Sequence, residues 1–379
     1  MNALSERALA HAHALRARSA VLPPEGPPRE EILESWSRSQ QAGLDFATSL
    51  KVEVVPLAEL ERRRERAAVV RRLAQAELET LSQQIAGSNF LLAFADPDGV
   101  VLDLFADHRF ETTGSTRQIL AGSVWTERAC GTNGLGTALA AGRSVAVSGL
   151  EHYVLELGDI SCTATPVRDA HGEVVGALDA SSYFESRQRH TQTLVQMAAA
   201  QMENGLFAYQ MRHEFMLAIH PRHEFLNTLN AGLLALGGDG RLRAVNSRGR
   251  QLLQGLHVTP GTAFDALFGE PFEEALVRMR RGGEVRLRDV MGSALAARCL
   301  GDGTGLFAQR FPGSATGEGA VRAAVAMPGN AADGANALAP ASPAHADSIR
   351  LGAAAADVVV ARARSRSQAK SESESESES

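Results

Sequence analysis

The chain has 379 residues, a formal net charge of −6, 44% hydrophobic and 22% charged residues. That gives room for two or three soluble globular domains at roughly 100–200 residues each, and the mild negative charge argues against a polyanion-binding protein as a whole. Cys130, Cys162 and Cys299, without CxxC spacing, suit a reducing compartment better than a disulfide framework. The amino terminus lacks the apolar core of a signal peptide, and no apolar run approaches the ~20 residues that span a bilayer. The expected location is the cytoplasm, with no membrane association.

Residues 1–28, ending in PPEGPP, read as a flexible leader, and 29–88 as an N-terminal helical segment. Within it, REEILESWSRSQQAGLD predicts a short helix closed by Gly43. Leu57 to about Ile85 predicts a long amphipathic helix, with Leu57, Leu60, Ala67, Ala74, Leu78, Leu81 and Ile85 near one face. Such a helix either packs on its own domain or pairs across a dimer.

The period then switches. FLLAFADPDGVVLDLFA predicts strand, turn, strand, with Asp96 to Gly99 as the turn. A glycine-rich run, ACGTNGLGTALA, follows in a helical or irregular stretch, and RSVAVSG predicts a short strand. SCTATPVRDAHGEVVGALDASS predicts another strand–turn–strand bent at Asp169 to Gly172. A second amphipathic helix is expected from about Arg187 to Ile219. Residues 89–212 form the expected first domain. A smaller one, 222–300, is expected from NAGLLALGGDGRLRAVNSRGRQLL: strand, Gly-rich turn, strand, then a helix capped by Asn246. GGEVRLRDVMGSALAARCL predicts further strands. Residues 301–379, rich in Ala, Gly, Ser and Pro and ending in SESESESES, read as a low-complexity, disordered tail. The fold class is α+β, an antiparallel sheet domain flanked by long helices and then a smaller α+β domain.

WTERACGTNGLGTALAAGRSVAVSGLEHY and CTATPVRDAHGEVVGALDASS closely resemble the GAF sensor domain of AcoR-type regulators of acetoin and glycerol metabolism, which work with sigma-54 polymerase. ESWSRSQQAGLD is similar to the opening of that family, and GDGRLRAVNSRGRQLL to its PAS-like second module. The resemblance covers about residues 30–300. It implies a GAF-like domain followed by a PAS-like one, and a module of a transcription regulator that senses a small metabolite of the acetoin or polyol type. It also implies ligand-binding residues: Trp125, Glu127, Thr132, Asn133, His152, Tyr153, Cys162 and Asp179. The family continues into an ATPase and a Fis-type helix-turn-helix. A P-loop needs a lysine after a glycine-rich turn, and the two lysines here, Lys51 and Lys370, lack that context. After Gly301 no run carries helix-turn-helix patterning, so neither module is expected in this chain.

Gly131, Gly134 and Gly136 come close to a reversed dinucleotide pattern, but the expected role is architectural, letting backbone approach the sheet. Cys130, Cys162 and His152 lack the paired spacing of a zinc site, and burial in small-residue packing is expected for all three cysteines. ERRRERA is interleaved with glutamate and reads as a solvated helix face, so direct DNA binding is not expected. No catalytic residue, metal or cofactor is expected. The partners expected are a small-molecule ligand, a second copy of the chain as a homodimer, and transcription machinery or a partner regulator. The alternatives are a GAF-fold redox enzyme or a ligand-free dimerisation protein.

Overall fold

The computed structural model describes residues 29–47, 49–85, 89–107, 110, 118–183 and 188–301. The expected leader and, past Gly301, the expected tail lie outside the described residues. Contacts divide the chain into Met1–Ala315 and Thr316–Ser379, and all described structure belongs to the first unit.

Helix α1 spans Glu30–Gln41, and Gly43 follows it at φ 82°. The expected long helix is instead two, α2 (Leu57–Arg66) and α3 (Ala68–Gln84), divided at Ala67. The amides of Ala67 and Arg71 still bond carbonyls four residues back. Leu60, Ala74, Leu78 and Leu81 are buried as patterned, joined by Val70 and Leu73, whereas Leu57 at the open end is 57% exposed.

The first sheet has the order β2-β1-β5-β4-β3, every neighbouring pair antiparallel: β1 Phe90–Ala95, β2 Val101–Ala106, β3 Val145–Ser148, β4 Ser161–Arg168 and β5 Val174–Ser182. Side chains alternate across a strand, and central β1, buried along its whole length, feeds two cores. Phe90, Leu92 and Phe94 pack with Leu73 and Leu78 of α3 and with Val195, Ala199 and Met202 of α6 (Gln188–Gln210). Leu91, Ala93 and Ala95 share a core with Ile32 and Trp36 of α1 and with α4 (Glu127–Cys130) and α5 (Gly134–Ala141).

The helix expected to run to Ile219 stops at Gln210. Phe215–His220 is a strand, β6, at the centre of a second antiparallel sheet of order β8-β7-β6-β10-β9. A continuous apolar run such as FMLAI has no period that separates a buried strand from a helix segment. The second sheet thus draws on chain before 222, where the smaller domain was expected to start. It continues with β7 (Gly232–Leu236), β8 (Leu242–Val245), β9 (Glu284–Arg288) and β10 (Ala294–Gly301). One face holds Phe207, Ala208 and Met211 from the end of α6 and just beyond it. The other is covered by α7 (Ser247–Leu252), α8 (Phe264–Phe268) and α9 (Phe272–Gly282). As expected, Asn246 caps α7, its Oδ1 accepting from Gly249 N at 2.7 Å.

Candidate functional site

A small cavity lies on the α4/α5 side of the first sheet, walled by Ile119, Trp125, Asn133, Gly134, Leu135, His152, Leu157, Ile160, Cys162, Asp179 and Ser181. Its volume is about 10 Å³, room for roughly one water molecule. Three elements set its geometry. Cys162 on β4 and Ser181 on β5 are register partners, and Asp179 lies two residues before Ser181, on the same face. The amino-terminal end of α5 presses onto them. A Cβ on Gly134 would sit 2.3 Å from Asp179 Oδ1 and 2.7 Å from Cys162 Cβ, and one on Gly136 2.7 Å from the backbone of Trp125 and Glu127. Only glycine permits that approach, which is the architectural role expected of this loop. The third wall is the irregular segment Gly149–Ile160, which contributes His152, Leu157 and Ile160.

The polar groups in the wall are connected. His152 Nδ1 lies 2.9 Å from the Gly149 carbonyl, which can only accept, so the neutral ring carries its proton there. Its Nε2 then faces Cys162 Sγ at 3.4 Å as an acceptor. Ser181 Oγ lies 3.1 Å from Cys162 Sγ and 2.6 Å from Asp179 Oδ2. One hydroxyl proton serves one of these at a time. With Asp179 protonated, donors run in one direction: Asp179 to Ser181, Ser181 to Cys162, Cys162 to His152, His152 to Gly149. With Asp179 ionised, Ser181 turns its proton to the carboxylate. Burial pushes Asp179 up to about 7, so the two arrangements stand close in energy near neutral pH. Burial pushes His152 down to about 4 and Cys162 far above the usual thiol range, so imidazole and thiol stay neutral. Asp179 Oδ1 has no partner although it is buried.

The eight residues proposed from the resemblance separate into two groups. Trp125, Asn133, His152, Cys162 and Asp179 line the cavity. Asn133 is also the cap of α5, accepting from Gly136 N at 2.8 Å and donating to Gly131 O at 2.8 Å. Trp125 Nε1 donates to Ser123 Oγ at 2.9 Å. Glu127, Thr132 and Tyr153 do not line the cavity; they hold the amino-terminal segment. Glu127 takes a two-pronged contact from Arg38 at 2.5 and 2.9 Å and a hydrogen bond from Ser35 at 2.5 Å. Thr132 Oγ1 lies 2.6 Å from Ser35 Oγ, and Tyr153 Oη donates to Leu44 O at 3.1 Å. Ser181, Leu157 and Ile160 were not foreseen. Ser181 was legible through its two-residue spacing from Asp179; the other two sit in a segment without periodicity.

The same amino-terminal segment grips the outer side of Gly149–Ile160. Trp36 Nε1 donates to Glu151 O at 2.7 Å, Arg29 pairs with Glu151 at 2.9 Å, and Glu156 accepts from Ser49 and from Leu50 N, each at 2.8 Å. One short stretch of chain therefore faces the cavity on one side and α1 with its following loop on the other.

Cys130 is buried like Cys162, and burial pushes its thiol up to about 12, whereas Cys299, expected buried, is only half-buried. Among the described residues no group of three or more His, Cys, Asp or Glu could hold a metal ion, and no helix is long and apolar enough to cross a membrane.

Comparison with known proteins gives a consistent family. Residues 16–204 match the MimR N-terminal domain. The acetoin catabolism regulatory protein of Cupriavidus necator is 30% identical over 70% of this chain and 43% of its own length. The propane 2-monooxygenase operon transcriptional activator MimR of Mycolicibacterium smegmatis is 30% identical over 55% of this chain and 35% of its own length. The aligned stretch thus spans less than half of either regulator. Among solved structures, the E. coli DhaR(N)–DhaL complex aligns with 72% of this chain and 99% of the matched chain, at 17% identity and a TM-score of 0.46. The chain belongs to the MimR N-terminal domain family through residues 16–204, which places it with the sensory amino-terminal regions of AcoR- and MimR-type transcriptional activators.

Proposed function

We propose that this chain is the small-molecule-sensing module of a bacterial transcription regulator, working in the cytoplasm as a homodimer, with the first sheet as a GAF-like sensor and the second as a PAS-like domain. The division falls between the end of α6 and the start of β6. The ligand is a small metabolite of the acetoin or polyol type, in keeping with relatives named for acetoin catabolism and glycerol metabolism. The output reaches transcription machinery or a partner regulator rather than DNA directly.

The carrying observation is the double-faced segment Gly149–Ile160. The cavity is too small for a four-carbon molecule as it stands, so an occupant must push a wall outward. β4, β5 and α5 are fixed by ladder and helix hydrogen bonds, while the 149–160 wall is built of short 3-10 turns. Movement there is felt at once by Trp36, Arg29 and the 44–50 loop. A ligand that binds the expanded form better than the closed one shifts the population between two placements of α1. The thiols of Cys130 and Cys162, held neutral by burial, supply no thiolate for the redox-enzyme reading.

The test is thermal unfolding of the full chain with acetoin, glycerol and dihydroxyacetone. At 100 times the dissociation constant a ligand adds about 2.7 kcal/mol of stability. The expected result is a rise in melting temperature that vanishes in Trp125→Ala or His152→Ala. No rise with any of the three contradicts the reading.

A further inference from the structure

The polar groups around the cavity state what it will accept. Among the described residues, two buried side-chain polar atoms lack a hydrogen-bond partner, and one of them, Asp179 Oδ1, belongs to a wall residue. Asp179 is 4% exposed, and its other oxygen is held by Ser181. The remaining polar side chains of the wall are engaged: Asn133 at both ends of its amide, Trp125 through Nε1, and His152 at both ring nitrogens. No Lys or Arg lines the cavity. His152, the one ring there that could become cationic, has one nitrogen on a carbonyl and the other on a thiol. The cavity thus presents one unmet acceptor and no positive charge.

We propose that Asp179 is the specificity-determining residue of this cavity: it selects a neutral ligand that brings an O–H donor to Oδ1, and it turns away carboxylate anions. The inference rests on the reading of the cavity as the ligand site, and it adds which ligands that site accepts and through which atom. A donor placed on Oδ1 satisfies an acceptor that burial has cut off from solvent. An analogue without the donor enters the same apolar walls yet leaves that acceptor unmet, which lowers affinity by roughly tenfold or more. An anion meets a buried carboxyl at close range with no cation to offset it.

Four molecules of similar size separate these effects in calorimetric titration of the full chain at neutral pH. 2,3-Butanediol, acetoin and 2,3-butanedione share a carbon skeleton and carry two, one and no O–H donors; lactate supplies the anion. The expected affinities fall from the diol and acetoin to the dione by roughly tenfold or more, with no heat from lactate. Asp179→Asn, which keeps the shape and removes the charge, should admit lactate. Its near-ultraviolet circular dichroism should match that of the parent chain. A dione that binds the parent as tightly as the diol, or measurable lactate binding, overturns the proposal while leaving the sensor reading intact. So does a selectivity unchanged in Asp179→Asn. Silence from all four probes, with Oδ1 serving only a bound water, overturns both together.

Discussion

The two sheets make an instructive pair, because each has five antiparallel strands with helices on both faces, and they fill their cores differently. The face of the second sheet beneath α7, α8 and α9 is closed by hydrocarbon. Leu217, Ile219, Leu234 and Leu236 meet Phe264, Phe268 and Phe272, with ring centroids 4.7 Å apart for Phe264–Phe268 and 5.4 Å for Phe264–Phe272. The corresponding face of the first sheet buries Glu127, Thr132, Asn133, His152, Asp179 and Ser181 among its apolar residues and leaves a small void lined by four of them, Asn133, His152, Asp179 and Ser181. Buried polar groups stabilise less than packed hydrocarbon of the same volume, and each requires a partner. A face that carries so many, one of them unmet, is arranged around something other than maximal stability.

That contrast can be pressed by mutation. Phe264→Ala, at 1% exposure in the filled core, is expected to lower unfolding free energy by about 3–5 kcal/mol in urea titration. It should leave the order of ligand preference untouched. Gly134→Ala is expected to cost less stability, about 1–3 kcal/mol from overpacking. It should abolish ligand binding, because the added Cβ occupies the space beside Asp179 Oδ1 and Cys162. Equal effects of the two substitutions on binding would erase the distinction between the sheets.

A smaller effect comes from pH. The neutral His152 ring, held down at about 4 against an ordinary 6.5, contributes stability that is present above 6.5 and lost as pH falls toward 4. The protonated Asp179, held up at about 7 against 3.8, contributes stability that is present below 3.8 and lost as pH rises toward 7. Between pH 4 and 6.5 the slopes oppose each other, and the parent chain should show little net change from this pair. Asp179→Asn should unmask stability that climbs with pH across that window, by at most about 1.4 kcal/mol per unit. His152→Gln should unmask the reverse slope. Urea midpoints measured at half-unit pH intervals check both signs, and flat profiles in both variants would contradict the assigned burial.

Much of this fold was legible where local chemistry dictates geometry. The turns at Asp96–Gly99 and Asp169–Gly172, the stop after α1 at Gly43 and the Asn246 cap all sit where turn and cap residues placed them. Elsewhere the determining contacts are not local. Phe215–His220 is apolar on both sides because both faces of the second sheet are covered, so it lacked the alternation that marks a strand. Helices α8 and α9 were not singled out, although α9 carries Glu273 and Glu274 in its first turn and Arg280 and Arg281 in its last. In the site, Glu127, Thr132 and Tyr153 are implied as ligand-binding by the family resemblance, and they lie outside the cavity wall. Their partners Ser35, Arg38 and Leu44 lie about a hundred residues earlier, and no spacing rule reaches that far. The smallness of the cavity is likewise a product of packing, invisible to pattern.

A ligand received by the first sheet's cavity should be felt through the 149–160 wall at the amino-terminal segment. Hydrogen exchange of the full chain with and without 2,3-butanediol tests this most directly. The predicted result is altered exchange in residues 131–136, 149–162 and 179–182 and in α1, with the second sheet unchanged. Changes confined to residues 215–301, or none anywhere while calorimetry reports binding, would contradict it.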